Sequence, residues 1–221
     1  SPQELRDLSE TSSAAAFAIA LPEQGVYIRI PVFHAKTAGQ IHQAVQALLA
    51  QGPIDKVVLD LRGNRGGLLN AAVEVADEFV TQGRIAETIG RSDTANLVFL
   101  AKPDGLLSGR RVVVLIDAKT ASAAELLAGI LQRNDKAVLA GRNSFGKSAV
   151  QSQFALENGE SLSLTTAYYR FSDGSTVGPE GLAPDTVLPR WAMRRKPPLP
   201  GTVNGKTLLK DDYAVRRAWE F

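Results

Sequence analysis

Two short runs, KVVLDL at residues 56–61 and RVVVLI at residues 111–116, are apolar at every position but their ends or one aspartate. A half-exposed strand alternates apolar and polar residues. A continuous run of β-branched residues belongs in a sheet covered on both faces. That requirement points to an α/β protein with parallel strands and helical layers. The intervening pattern agrees. Residues 25–33 (GVYIRIPVF) alternate as a strand, with Pro31 placing them at an edge or near a strand end. A helix is expected over 37–50, capped by Thr37, with Ile41, Ala44, Val45, Leu48 and Leu49 on one face. A second is expected from about 68 to 80 and a third over 122–132.

Further strands are expected at 84–90, 95–101, 136–140 and 183–188. Residues 148–156 and 161–170 alternate on either side of Glu157-Asn158-Gly159-Glu160, an antiparallel β-hairpin in a mainly parallel protein. Residues 1–24 are expected to be a loose lead-in. Residues 191–221 are expected to be a C-terminal extension, with a stiff Pro-Pro-Leu-Pro linker and a short helix over 211–219. Residues 25–190 form the single domain between them.

The chemistry is narrowed by what the chain contains. It has 221 residues, a net charge of +2 and no cysteine. Disulfides, thiol catalysis and cysteine–zinc sites are excluded. The small net charge gives no reason to expect a nucleic-acid partner. The basic residues Arg190, Arg194, Arg195 and Lys196 read as a solvated face. No apolar run is long enough for a membrane span, and residues 14–21 lack the basic flank of a signal peptide. No metal or cofactor set stands out.

Residues 120–151 hold the ambiguous part. Gly141-Arg142-Asn143-Ser144-Phe145-Gly146-Lys147-Ser148 matches the phosphate-binding string GxxxxGK[ST], and Asp60 and Asp117 end apolar strands as a magnesium-binding partner would. A phosphate loop must open a helix, whose first amides hold the phosphates. Here Val150, Ser152, Phe154 and Leu156 recur at period two, so a strand follows, and the P-loop NTPase is kept only as a third reading.

The other reading makes Lys147 a general base. Ser122 sits at the start of an apolar helix among Ala121, Ala123 and Ala124. A serine hydroxyl needs a base. The two histidines, His34 and His42, read as surface or hydrogen-bonded filler. A lysine held neutral by desolvation can take the histidine's place. From the residues alone, Ser122 as a plain helix cap and Lys147 as a solvated turn residue stay open beside the dyad.

At these residues the chain resembles the C-terminal processing, or tail-specific, protease family. GVYIRIPVF is similar to its opening strand, VLDLRGNRGG at 58–67 to its LDLRGNPGG segment, and TASAAELLAG at 120–129 to its serine motif. GRNSFGKSAVQ at 141–151 is similar to its lysine motif, and residues 159–169 to the hairpin that follows. The resemblance implies Ser122 as nucleophile, Lys147 as base and Gln151 as the residue that orients the lysine. It implies an oxyanion hole from the backbone of Ala123 and of Gly66 or Gly67. It also implies a crotonase- or ClpP-like core of ββα units, a polypeptide substrate bound as an extended strand, and a periplasmic or cell-envelope setting.

The chain departs from the family at Arg65 in place of a proline, at Ala124 in place of a second serine, and at Arg133 where some members carry an aspartate. Asp135 lies out of step with that aspartate. A PDZ domain is not expected within residues 25–189, which leaves a homo-oligomer or an adaptor to select substrates. The alternative function is a non-catalytic peptide- or ligand-binding relative of the same fold.

Overall fold

A computed structural model describes residues 16–134, 136–156 and 159–221. Its centre is a six-stranded sheet. The strands are β1 (Phe17–Leu21), β2 (Gly25–Arg29), β3 (Lys56–Asp60), β6 (Arg111–Ile116), β7 (Ala137–Gly141) and β10 (Thr186–Val187), in that spatial order. Every pair is parallel except β1 with β2.

The continuous apolar runs behave as their composition demands. Val57 and Leu59 of β3, with Val112, Val114 and Ile116 of β6, enter one core; Val58, Val113 and Leu115 enter another on the opposite face. The first core is closed by helices α1 (Thr37–Leu49), α2 (Leu69–Asp77) and α3 (Ala123–Arg133), through Ile41, Val45, Val75, Leu126 and Ile130 among others.

The second face is covered by the segment expected to be an extension. It forms two helices, α4 (Gly205–Asp211) and α5 (Tyr213–Trp219), one more than anticipated. Leu208, Ala214, Val215 and Ala218 pack there against Tyr27, Val58 and Leu115.

A separate antiparallel sheet has the order β5 (Leu97–Leu100), β4 (Arg84–Gly90), β9 (Ser161–Phe171), β8 (Ala149–Ala155). Ala167, Tyr169 and Phe171 of β9 are buried, and the guanidinium of Arg133, at the end of α3, stacks 3.9 Å from the centre of the Phe171 ring. Glu157 and Asn158, in the turn expected between β8 and β9, lie outside the described residues, as do Asp135 and residues 1–15.

Two expectations need correction and one is narrowed. The lead-in is not loose throughout. Phe17–Leu21 is an ordered strand, because Ala16 and Ala18 reach the first core while Phe17 and Ile19 pack on the second. Of the two expected places for Pro31 the structure has the strand end, since β2 lies between β1 and β3. Thr37 is the first residue of α1 rather than its cap. Its hydroxyl accepts from the His34 N–H at 3.0 Å and so closes the preceding turn. No helix among the described residues is long and apolar enough to cross a membrane.

Candidate active site

Strand β3 ends at Asp60 and runs into Arg62-Gly63-Asn64-Arg65-Gly66-Gly67. Asp60 is fully buried and engaged on all sides. It accepts from Arg62 Nη2 at 2.6 Å, Arg62 Nε at 3.0 Å and the Tyr27 hydroxyl at 2.7 Å. Burial alone would raise its carboxyl, but the Arg62 and then the Arg29 guanidinium outweigh that and hold it below the usual range. Asp117 is likewise committed, to the N–H groups of Gly63 at 3.0 Å, Lys119 at 2.9 Å and Thr120 at 3.1 Å. Neither aspartate stands as a magnesium ligand, and the segment after Lys147 is strand β8, not a helix. The structure thus removes the phosphate-loop reading.

The glycines of the loop are required by close approach. At Gly66 (φ +102°) an added Cβ would lie 2.9 Å from the Ser122 Cβ; at Gly67 (φ +132°) it would lie 2.0 Å from the Phe33 carbonyl oxygen. Asn64 shapes the turn. Its amide donates to the Ile30 carbonyl at 2.9 Å and its oxygen accepts from the Gly66 N–H at 2.8 Å. The Gly66 N–H, one of the expected oxyanion donors, is therefore already engaged. The N–H groups of Gly67 and Ala123 have no acceptor among the described residues.

Ser122 lies where the chain leaves β6 and enters α3. Its backbone has φ 56° and ψ −120°, a region that a non-glycine residue occupies only under local compulsion. Such a sharp turn between strand and helix lifts a side chain out of the backbone's shelter. The Ser122 N–H donates to Glu125 Oε2 at 2.9 Å.

Glu125 is the residue that the sequence analysis passed over. It is fully buried in the first turn of α3. Its Oε1 accepts from Ser144 Oγ at 2.5 Å and from the Gly146 N–H at 2.6 Å. Its Oε2 accepts from the Lys147 N–H at 2.8 Å as well as from Ser122. One carboxylate thus clamps the serine turn to the lysine loop. A second tie runs from the Phe145 N–H to the Thr120 carbonyl at 2.9 Å. The signal available in the sequence was a glutamate three residues after a helix-opening serine, the spacing of a capping box.

Lys147 is half-buried, and its Nζ donates to Gln151 Oε1 at 3.0 Å. The register of β8 against β9 shifts between Val150 and Gln151, an irregularity of the kind that re-aims side chains beside active sites. The Tyr169 hydroxyl donates to the Lys147 carbonyl at 3.3 Å. Burial, then the Glu125 carboxylate, pushes that phenol far above its ordinary range, so it remains a donor.

Ser122, Lys147 and Gln151 line one cleft of about 760 Å³, together with Gly67, Arg65 and His34. His34, expected to be surface or hydrogen-bonded filler, accepts from the Lys36 N–H and also borders this cleft. His42 is paired with Glu78 at 2.6 Å.

The model for peptidase family S41 matches residues 25–188. A carboxy-terminal-processing protease of Bartonella bacilliformis is 37% identical over 193 residues, which is 86% of this chain and 43% of that protein. A carboxyl-terminal-processing protease of Picosynechococcus sp. is 38% identical over 165 residues, 74% of this chain and 39% of that protein. The chain therefore spans less than half the length of these relatives. Among solved structures, the photosystem II D1 C-terminal processing protease superposes with a TM-score of 0.65 at 32% identity, covering 80% of this chain and 46% of that one. A lipoprotein from Streptococcus agalactiae gives the same TM-score at 19% identity over 83% of this chain and 68% of that one, a likeness of fold alone.

Proposed function

The chain belongs to peptidase family S41, and from that premise we propose that it is a serine endopeptidase with a Ser122–Lys147 dyad. Lys147, as a neutral amine, takes the Ser122 proton as Oγ attacks the scissile carbonyl. The oxyanion is held by the N–H groups of Gly67 and Ala123. Gly66 serves by its small size rather than as a donor. Collapse expels the amine, which leaves with the proton from Lys147. Water activated by the same amine then releases the acyl group from Ser122. Gln151 orients the lysine.

The observation that carries this reading is the Glu125 carboxylate, whose Oε2 accepts from both the Ser122 and the Lys147 amide. It sets two loops from distant parts of the sequence against a single cleft. Substrates are protein C-terminal tails or unfolded polypeptides, bound as an extended strand. The core is read as crotonase- and ClpP-like, and the setting as the bacterial periplasm or cell envelope.

The test is cleavage of an unfolded protein by the wild type, Ser122→Ala and Lys147→Ala. Both variants are expected to lose activity by several orders of magnitude while keeping the wild-type melting temperature within a few degrees. Undiminished cleavage by either would remove the dyad.

A further inference from the structure

Among the described residues the cleft lining is one-sided in charge. It contains Arg65 and Lys147, with His34 beside them, and no described aspartate or glutamate. The described carboxylates packed against the serine, lysine and glycine loops are committed elsewhere. Glu125 is fully buried against four donors, Asp117 is held by backbone amides, and Asp60 lies in its own ion-pair cluster. None of these three carboxylates lines the cleft.

Arg65 differs from the rest of its loop. Asn64 and Gly66 are buried and hydrogen-bonded, whereas Arg65 is exposed and has no ion pair among the described residues. It sits one residue before the glycine pair against which the scissile carbonyl would be placed. The turn carrying His34 is paired to the same loop, by the Phe33 N–H to the Gly66 carbonyl at 2.9 Å and the Leu68 N–H to the Phe33 carbonyl at 2.8 Å. His34 Nδ1 accepts from the Lys36 N–H at 3.2 Å, so the neutral ring carries its proton on Nε2, as a donor.

We propose that this end of the cleft reads a carboxylate in the substrate, with Arg65 as the specificity-determining residue. The inference rests on the peptidase reading of the same cleft. A guanidinium matches a carboxylate with two parallel hydrogen bonds, which a point charge does not. The anion belongs at Arg65 rather than at Lys147. An anion against Lys147 would favour the ammonium form, which can accept no proton. Two sources share this chemistry: an aspartate or glutamate side chain beside the scissile bond, and the α-carboxylate of a short tail.

The experiment uses matched fluorogenic peptides, with Glu or Gln placed in turn at each position flanking the scissile bond. Each peptide is made with a free and with an amidated C-terminus. Wild type, Arg65→Gln and Arg65→Lys are compared by kcat/KM, and the same peptides are titrated onto the Ser122→Ala protein with and without Arg65→Gln. One carboxylate position is expected to raise kcat/KM and tighten binding roughly fivefold, the scale of a partly exposed ion pair. That preference disappears in Arg65→Gln, is partly kept in Arg65→Lys, and weakens with added salt. A response to Glu identifies a side-chain carboxylate, and a response to amidation the α-carboxylate. Equal handling of acid and neutral peptides by the wild type, or an acid preference unchanged in Arg65→Gln, overturns the proposal. Ser122-dependent cleavage without acid preference would sink this inference alone. Arg65-dependent acid binding without any turnover would sink only the peptidase reading.

Discussion

At the scale of single residues, Glu125 decides the geometry. Each of its oxygens faces two donors, so neither can be exchanged for an amide without setting donor against donor. Glu125→Gln keeps the shape and breaks that match. It is expected to cost about 1–3 kcal/mol in urea unfolding and to reduce kcat far more than KM, because the serine and lysine turns separate. An unchanged kcat would show that the clamp is not needed for alignment. This role was not legible in the sequence. The glutamate lies in the motif around Ser122, but its partners Ser144, Gly146 and Lys147 are about twenty residues away and meet it only through the tertiary fold. Ser122 and Lys147 could be named because their residue types carry recognisable chemistry, whereas Gln151 was named only by the family resemblance. The choice between the Gly66 and Gly67 amides was not legible, since the engagement of the Gly66 N–H depends on where the Asn64 side chain turns.

At the scale of elements, helix α5 is joined to the end of β3. Asp212 is fully buried and does two things at once. Its Oδ1 caps α5 through the N–H groups of Ala214 at 3.0 Å and Val215 at 3.2 Å. Its carboxylate also grips Arg62, with Oδ2 2.8 Å from Nη2 and Oδ1 3.3 Å from Nη1. Removing it would leave Arg62 buried with Asp60 as its remaining carboxylate. The neighbouring Asp211 meets Arg195 at 3.8 Å, with both side chains more than 40% exposed. The two aspartates therefore make a controlled comparison. Asp212→Ala is expected to cost about 3–5 kcal/mol as a broken buried pair, and Asp211→Ala less than about 1 kcal/mol as a surface pair. Denaturant unfolding of both reads the difference, and equal losses would contradict it. In the sequence these are adjacent identical residues. Only their position relative to Arg62 separates them.

For the whole molecule, the continuous apolar strands announced two covering layers without saying which segments supply them. Periodicity placed α1, α2 and α3 well, since they are long enough to show a clear apolar stripe. It did not reveal that α4 and α5 close the other face, because each has seven residues and too few turns for a stripe to register. Strand β1 was missed for a related reason: alanine is a weak strand former, and the pairing with β2 compensates for it. Removal of residues 191–221 would uncover Tyr27, Val58, Val113 and Leu115, each at most 3% exposed. At roughly 1.5–3 kcal/mol per buried large side chain, their loss matches a typical domain's whole stability of about 5–15 kcal/mol. The shortened chain is expected to bind a hydrophobic dye and to lose its cooperative melting transition. Sharp melting near the wild-type temperature would refute this.

The Arg62–Asp212 pair also sets an order of events during synthesis. Its members are 150 residues apart. At roughly 5–20 residues per second, about eight to thirty seconds separate the emergence of one from the emergence of the other. During that interval the glycine loop is anchored to a cation that lacks its second carboxylate, and the face under α5 is open. Ser122 and Lys147 both leave the ribosome before Asp212 does. On the proposed reading the cleft reaches its final shape only after α4 and α5 have docked, and a nascent chain carries Ser122 and Lys147 before it carries the geometry that aligns them.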